Sequence, residues 1–361
     1  MSQEYLDIAK KIINNLEKQD YKGFDPYDAL NSPFLFNNRE IPFFPLIMTV
    51  LFRYSSFNFR RIFSVPPVSN PKALGLILSS FSKLDNNIIS KKQMEKIVTR
   101  ILALRTTRYS GVSWGYPFPW QNRSRLSKVY EPSIVVTSFV SNSLIDYYKI
   151  SNDKRILNVL EEVCNFVIDN IHIKEFDTGI CFSYHPNEKN VVLNASALIS
   201  NLFLRMHKLT GNEHLFVLAS RALDFIISRQ EKNGMWYYSY DYKTDKPRLQ
   251  TDWHQGYIID SLIRYYNITK DPRVLESIKL GGDFYKTQFR LNGSSYWRFN
   301  DWAYPINVHN QAQGIITFSN LSLIYPEYHK KALDIANWTI NNLCSKQGQV
   351  YYQKGRFFTN K

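Results

Sequence analysis

Several signals that would assign this 361-residue chain to a familiar class are absent from its sequence. Its three cysteines, Cys164, Cys181 and Cys344, have no C-x-x-C spacing, which excludes a readable disulfide framework or zinc knuckle. The most apolar run, Ile41 to Phe52, contains two prolines and is shorter than the roughly 20 residues of a membrane-spanning helix. The first residues alternate charged and apolar positions, as an amphipathic helix does and a signal peptide does not. We therefore expect a cytoplasmic protein that could also contact a membrane peripherally.

Motifs of the common catalytic and nucleotide-binding classes are missing as well. The sequence has no P-loop, no G-x-G-x-x-G after a strand and no H-E-x-x-H, and its His and Cys residues lack metal-ligand spacing. Its Lys and Arg residues are dispersed and form no basic block, which argues against nucleic acid as a partner. No cofactor and no metal site are predicted.

Acidic residues are also in deficit, and aromatic residues are abundant. The chain has 45 Lys and Arg against 31 Asp and Glu, a formal net charge of +14. Such a balance favours anionic partners, among them acidic glycans and membrane headgroups. The 24 Phe, 24 Tyr and 7 Trp make up 15% of the residues, so aromatic packing or aromatic binding surfaces must be extensive.

A repeat of 59 residues organises the chain. Three segments that start at Asp146, Arg205 and Arg264 align without a gap, and in each one apolar residues recur at helical spacing around a short polar turn. Each unit is thus predicted to be a helix, a tight turn and an antiparallel helix. A glycine followed by aromatic residues comes after each hairpin, as in GICFSYHP from Gly179 and GMWYYSYD from Gly234, and predicts a short extended loop.

About six such hairpins fit into the chain, with residues 1–70 containing an N-terminal extension and a degraded first hairpin. Solenoid repeats of the tetratricopeptide type use about 34 residues and short loops, whereas longer units with aromatic connections suit a closed ring. The sequence therefore predicts an all-α fold, an (α/α)6 toroid that forms a single domain over residues 1–361. In such a ring the inner helices start at one face, and the loops before them surround a central cavity.

The inner helices are predicted to begin near Thr137, Asn194, His254 and Gln311, each just after an aromatic loop. Aromatic faces stack on sugar rings while amides and imidazoles supply directional hydrogen bonds, and a carbohydrate cleft needs both. The candidate substrate-binding residues in these loops and first turns are Trp114, Trp120, Gln121, Arg123, His185, Asn194, Trp236, Trp297, Gln311 and Gln313. A packing role is the alternative for each of them, because Tyr and Trp in a repeat usually lie in the core.

Two kinds of chemistry fit the residues predicted at the cavity mouth. Glycoside hydrolysis uses two carboxylates about 5 to 10 Å apart, for which Asp252 and Asp301 are the best pair. Histidine and tyrosine suit removal of a proton next to a carboxylate, the step that uronate epimerases and polysaccharide lyases share. We expect proton transfer, with His254 as the leading acid/base and Asp252 assisting. The candidates for the opposite side are Tyr116, Tyr184 and His309.

Seven fragments in order give the chain a resemblance to a known family. They are FDPYDALNS from Phe24, NFRRIF with NPKAL from Asn58, WGYPFPWQ from Trp114, CFSYHP from Cys181, LNASAL from Leu193, DWHQGY from Asp252 and YPINVHNQAQGII from Tyr304. Together they resemble a family of bacterial and archaeal proteins found with surface-polysaccharide and protein-glycosylation genes, within the six-hairpin glycosidase-like toroids. The segment DWHQGYIIDSLIRYY is also similar to the C-terminal helical domain of glucuronyl C5-epimerases. The resemblance implies an (α/α)6 toroid that assembles or modifies a glycan.

These observations predict a carbohydrate-active enzyme that modifies an anionic, uronic-acid-containing glycan by epimerase or lyase chemistry during surface-polysaccharide or glycoconjugate synthesis. The expected partner is an anionic oligo- or polysaccharide, lipid-linked forms included. Three alternatives stay open: a glycoside hydrolase that uses Asp252 and Asp301, a non-catalytic glycan-binding scaffold, and a toroid that handles isoprenoids.

Overall fold

The chain forms two compact units in a computed structural model that describes residues 3–55, 57–85, 87–121, 125–296 and 303–360. Unit 1 comprises residues 1–170, 346–349 and 360–361, and unit 2 comprises residues 171–345 and 350–359. In the described ranges no helix is both long and apolar enough to cross a membrane. The single domain expected from the sequence stays a prediction.

Unit 1 consists mainly of helices and contains a small antiparallel hairpin. Its helices are α1 (Gln3–Lys18), α2 (Pro33–Asn37), α3 (Phe44–Tyr54), α4 (Pro71–Phe81), α5 (Lys91–Ala103), α6 (Ile134–Ser151) and α7 (Lys154–Asn170), and its strands are β1 (Trp120–Gln121) and β2 (Leu126–Ser127). Helix α6 packs along α4 on one side and α7 on another, so it is buried over most of its surface. Helix α7 buries only one face, as its amphipathic sequence requires.

Unit 2 contains three helical hairpins joined by short strands. Its helices are α8 (Leu193–Thr210), α9 (Glu213–Ser228), α10 (Trp253–Thr269), α11 (Pro272–Thr287), α12 (Val308–Leu321) and α13 (His329–Leu343). Its strands are β3 (Ile173–Phe176), β4 (Gly179–Phe182), β5 (Val191–Val192), β6 (Ser239–Tyr240), β7 (Pro247–Arg248), β8 (Ile306–Asn307) and β9 (Gln353–Lys354), and β10 (Thr359–Asn360) ends the described chain. Strand β3 pairs with β4, β6 pairs with both β5 and β7, and β8 pairs with β9, all antiparallel.

The turn inside each hairpin explains the 59-residue repeat. Helices α6, α8 and α10 end at Asn152, Gly211 and Lys270, which have φ values of 54°, 72° and 57°. A residue in this left-handed conformation just after a helix lets its N–H close the last turn, and the chain then reverses. These three positions are 59 residues apart, so the periodicity in the sequence is confirmed as a periodicity of helix ends.

Helix α10 is the central element of unit 2. It packs against α8 on one side and α12 on the other, and also against its hairpin partner α11. Its residues are therefore buried nearly all round, whereas α9 and α11 carry exposed polar residues on one face. The first turns of α10 and of its neighbours hold most of the polar residues that the sequence singles out in this unit.

The glycine at the start of each aromatic loop is required because the loop passes very close to the backbone of a helix. Gly179 and Gly234 have φ values of 146° and 90°. A Cβ atom at these positions would lie 2.0 Å from the Arg221 carbonyl oxygen on α9 and 2.2 Å from the Leu280 carbonyl oxygen on α11. Only glycine fits, because any side chain would collide with the helix backbone beneath the loop. The glycine–aromatic marker thus identifies where a loop presses on a helix.

Candidate active site

Two histidines occupy equivalent positions at the start of α10 and α12. His254 and His309 are each the second residue of their helix, and each backbone N–H is capped by a side chain two residues earlier. Asp252 accepts from His254 at 3.3 Å, and Asn307 accepts from His309 at 2.8 Å. The Trp253 indole stacks on the His309 ring with 4.4 Å between centroids, so the two first turns are in contact.

His254 is held by the carboxylate of the residue that caps its helix. Its Nδ1 contacts Asp252 Oδ1, while Gln250 Nε2 donates to Asp252 Oδ2 at 2.8 Å. Asp252 is 1% exposed, whereas 14% of the His254 side chain is exposed. A carboxylate at Nδ1 selects the tautomer with its proton on that nitrogen, and it stabilises the imidazolium when the ring is protonated. Nε2 is therefore the atom through which His254 can exchange a proton with a ligand.

His309 is in contact with a phenol. Tyr257 Oη lies 2.5 Å from His309 Nε2. Burial, followed by the negative charge of Asp252, raises the pKa of Tyr257 well above its ordinary value. The phenol consequently keeps its proton at neutral pH and donates it to Nε2 when the imidazole is neutral. Trp253 borders both histidines, since its ring also lies 5.2 Å from the His254 ring.

The meeting of Tyr257 and His309 depends on a close crossing of α10 and α12 at Gly256. A Cβ atom there would lie 2.7 Å from both Gln313 Cγ and Thr317 Oγ1. Behind the crossing, Gln313 Nε2 and Thr317 Oγ1 both donate to Asp260 Oδ2, at 2.7 and 3.2 Å. These bonds connect the two helices one turn behind Tyr257. They fix the register at which the phenol reaches the imidazole.

Two tyrosines and an exposed cation surround this pair of histidines. The Tyr238 ring meets the His254 ring edge-on at 4.8 Å between centroids, and the Arg248 guanidinium lies 5.3 Å from the Tyr238 centroid. Tyr184 is close enough to Tyr257 for its negative form to raise the pKa of that phenol further. Arg248 is exposed and the two outer tyrosines are half-buried, so an anionic group could approach from this side.

Two predicted sugar-binding residues, Trp236 and Gln311, are buried and form hydrogen bonds with the protein backbone. Trp236 is fully buried, its Nε1 donates to the Ile226 carbonyl at 2.9 Å, and Gln255 bonds to both its N–H and its C=O. Gln311 bonds to the backbone of the next loop as Gln255 bonds to that of Trp236. It accepts from the Ser295 N–H at 2.7 Å and donates to the Gly293 carbonyl at 3.2 Å. Trp236 offers no ring face to a sugar, because both faces are covered by protein.

Three further predicted residues of unit 2 differ in their surroundings. Gln313 is committed to Asp260, as described above. His185 is 1% exposed and its ring lies 4.8 Å from that of Tyr184, so it supports this tyrosine from below the surface. Asn194 is the second residue of α8, the position that the two histidines occupy in their helices, and its buried Oδ1 has no hydrogen-bond partner among the described residues. Asn194 therefore stays a candidate.

The predicted site residues of unit 1 form an aromatic group of their own. Trp114 is fully buried and its Nε1 donates to the Ile101 carbonyl at 2.8 Å, which repeats the arrangement of Trp236 and excludes a sugar platform. Tyr116 and Trp120 are half-buried and meet edge-on at 6.1 Å, with Gln121 next to them in β1. Three predicted residues lie outside the described ranges: Arg123, Trp297 and Asp301.

Sequence reasoning missed Gln250, Trp253, Tyr257, Asp260 and Arg248. Part of this set could have been found, because Tyr257 follows His254 by three residues and shares its helix face. The contact between Tyr257 and His309 spans 52 residues, and no local pattern in the sequence indicates it.

The possible metal ligands lie apart in the ranges that the structure describes. Within them, no three His, Cys, Asp or Glu side chains are grouped so that they could hold a metal ion. Cys164 and Cys181 are buried, and burial raises the pKa of each thiol to about 12. Both remain neutral thiols inside the core and act there as small apolar side chains.

Comparison with known proteins finds no match in sequence but clear matches in structure. No family model and no curated protein matches the chain. A GH76 α-mannanase from Bacteroides thetaiotaomicron superposes with a TM-score of 0.61 at 12% identity, over 81% of this chain and 79% of that one. Cellobiose 2-epimerase from Bacillus thermoamylovorans gives 0.65 at 10% identity over 82% and 85%, and a D-mannose isomerase gives 0.62 at 12% identity over 81% and 82%.

The chain has the (α/α)6 toroid fold of these three structures. The toroid predicted from the 59-residue repeat is thereby confirmed as the fold class. At 10–12% identity these three matches establish the toroid fold and not the reaction.

Proposed function

We propose that this toroid is an enzyme that modifies a carbohydrate by moving a proton between a sugar carbon and histidine side chains. The observation that carries the proposal is the pair formed by His254 and His309 in adjacent first turns, each with its own polar partner, Asp252 or Tyr257. The fold supports it, because the similar structures include proteins named as a cellobiose 2-epimerase and a mannose isomerase.

His254 is the base in the proposed reaction. Its Nε2 takes a proton from the carbon next to a carboxyl or carbonyl group, the C–H bond breaks, and the electron pair moves onto the oxygen of that group. The buried Asp252 stabilises the resulting imidazolium through Nδ1. The proton resides on His254 and the electron pair on the substrate, so the step needs no oxidant and no second reactant.

His309 is the acid on the other side of the same carbon. Protonation by its imidazolium returns the electron pair to a new C–H bond and inverts the carbon, which is epimerisation. If a substituent on the neighbouring carbon leaves with the electron pair instead, the result is β-elimination and the enzyme is a lyase. Tyr257 holds the ring in both states, because a phenol accepts from a protonated nitrogen and donates to a neutral one. Tyr184 is the other candidate of unit 2 for the acid.

The proposed substrate is a uronic-acid-containing oligo- or polysaccharide. A carboxylate that binds the exposed Arg248 would lie beside Tyr238 and present its neighbouring C–H bond to His254. The net charge of +14 favours such a ligand over a neutral one. From the family resemblance we propose a role in surface-polysaccharide or glycoconjugate synthesis in the cytoplasm, with lipid-linked forms among the substrates.

Hydrolysis is the second candidate reaction, since a GH76 α-mannanase shares the fold. A hydrolase needs a protonated carboxylic acid in contact with the glycosidic oxygen. Asp252 is 1% exposed and already engages His254 and Gln250, which argues against that function. Its predicted partner, Asp301, lies outside the described residues. The pair of Asp252 and Asp301 is therefore a question for experiment.

Deuterium exchange distinguishes these possibilities. Uronate oligosaccharides incubated with the protein in deuterated water should gain deuterium at C5, measured by mass spectrometry. His254→Gln should slow the exchange about 10²- to 10⁴-fold, the usual contribution of a general acid or base, whereas His309→Gln should slow inversion of C5 by a similar factor. His329→Gln, an exposed histidine at the start of α13, is the matched control and should exchange at the wild-type rate.

Three results would contradict the proposal. New reducing ends that form without exchange and without the double bond left by β-elimination would identify a hydrolase. Tight glycan binding without any turnover would identify a binding scaffold. Exchange that persists at the wild-type rate in His254→Gln would show that the proton is removed by another residue.

A further inference from the structure

Exposed apolar side chains are concentrated in one short segment of unit 1. Nine of the large hydrophobic residues that are exposed in the described ranges lie between positions 34 and 62: Phe34, Ile41, Phe43, Ile47, Val50, Leu51, Tyr54, Phe57 and Ile62. Scattered single residues of this kind are normal on a protein surface, but a contiguous apolar patch indicates a partner.

Helix α3 is the centre of this surface. Its inner face, which includes Met48 and Phe52, packs into a small core with Leu30, Leu35 and Val65. The opposite face is also apolar: it is formed by Ile47, Val50, Leu51 and Tyr54, whose spacing aligns them along one side of the helix. A helix that is apolar on both faces has its second face covered by protein or by lipid.

Aromatic and aliphatic residues extend this outer face beyond the helix. Phe43, immediately before α3, is 76% exposed. Phe34 and Ile62 line a groove together with Phe63, whose ring stacks on that of Phe34 at 6.3 Å. We call the outer face of α3 with Phe43 the apolar surface.

The chain around the apolar surface carries positive charge and almost no negative charge. Residues 34–62 contain four Arg and one acidic residue, Glu40, which lies 3.3 Å from Arg39. Arg60 is committed to the buried Asp28 at 3.0 Å, whereas Arg61 is exposed. Arg53 follows Val50 by three residues and borders the outer face of α3, and its guanidinium lies 5.1 Å from the Tyr54 ring centroid. A cationic rim around an apolar centre is complementary to a surface that is anionic outside and apolar inside.

We propose that the apolar surface docks this protein onto an anionic phospholipid membrane. Phe43 and the outer side chains of α3 enter the boundary between headgroups and acyl chains, while Arg53 and Arg61 bind lipid phosphates. A second copy of the chain fits less well, because a two-fold interface would bring the same cationic rim against itself. The docking is independent of the chemistry proposed for His254, so each can fail without the other.

Vesicle co-sedimentation tests the proposal with the full chain. Wild-type protein should sediment with vesicles of phosphatidylcholine mixed with phosphatidylglycerol, and more weakly with phosphatidylcholine alone. The double variant Phe43→Asn with Ile47→Ser should bind about tenfold or more weakly, since it removes two large apolar groups from the interface. Asparagine suits position 43, which has a φ of 64°. The matched control is Leu291→Ser with Leu323→Ser, at sites 97% and 85% exposed outside the segment, and should bind as wild type.

A second pair of variants tests the charge. Arg53→Gln and Arg61→Gln should each weaken binding to the anionic vesicles about fivefold and leave the weak binding to phosphatidylcholine unchanged. Lys232→Gln with Lys243→Gln, two exposed lysines of unit 2, is the control and should have a smaller effect. Circular dichroism and thermal unfolding of each variant establish that it is folded.

The proposal is overturned if wild-type protein does not sediment with anionic vesicles. It is also overturned if light scattering shows a dimer that Phe43→Asn with Ile47→Ser converts to a monomer, because the apolar surface then binds a second copy. Equal loss of binding in the Leu291 and Leu323 control would show that lipid contact is unspecific.

Discussion

Replacing Gly256 by alanine should destabilise the crossing of α10 and α12. The new Cβ would lie 2.7 Å from Gln313 Cγ and Thr317 Oγ1. These side chains cannot move aside freely, because both donate to Asp260. Overpacking of a buried contact costs about 1–3 kcal/mol, and the higher helix propensity of alanine offsets about 1 kcal/mol of it. We expect a net loss of up to about 2 kcal/mol in the free energy of unfolding.

Urea denaturation followed by circular dichroism measures this loss. Gly23→Ala is the control, because no atom lies within 4 Å of its added Cβ and its φ is not positive. It should be neutral or slightly stabilising, since alanine reduces the entropy of the unfolded chain. If Gly256→Ala is as stable as wild type, the helices are not in the tight contact described here. The argument that this crossing aligns Tyr257 with His309 then fails as well.

Three other changes test separate parts of the structure. Asp252→Asn should lower the rate of C5 exchange about 10²- to 10⁴-fold with little change in glycan affinity, and an unchanged rate would exclude its role in orienting His254. Burial raises the pKa of Asp260 to about 6. Between about pH 4 and pH 6 the folded state retains a proton that the unfolded state has lost, so ionisation of Asp260 reduces stability as the pH rises. The stability advantage of wild type over Asp260→Asn, from urea denaturation, should therefore shrink from pH 4 to pH 7, and growth of that advantage would contradict the assigned direction. Lys270→Gly should raise the free energy of unfolding by up to about 1 kcal/mol, because Lys270 has a φ of 57° where the equivalent residue of the previous hairpin is Gly211. A decrease would mean that the contact of Lys270 Nζ with the Tyr266 ring, 5.0 Å from the ring centroid, is worth more than the strain.

The hairpins could be predicted because their determinants are local. Apolar residues at helical spacing define each helix, and Asn152, Gly211 and Lys270 mark the turns at a constant interval. The glycine–aromatic loops were also recognisable, although their function was not. A pattern such as Gly234 with Trp236 is the same in a loop that packs in the core and in a loop that binds sugar. Only the contacts of Trp236 with Ile226 and Gln255 distinguish the two.

The candidate site also has a part that depends on local sequence and a part that depends on tertiary contacts. The sequence by itself determined that Asp252, His254 and Tyr257 share the first turns of one helix, because an N-cap and an i, i+3 spacing need no information from elsewhere in the chain. Only the tertiary structure decided that His309 meets Tyr257, and that Trp114 and Trp236 are buried. The physical reason is that such contacts depend on how closely two helices approach, and that distance is set at positions such as Gly256 by the packing of side chains distant in sequence.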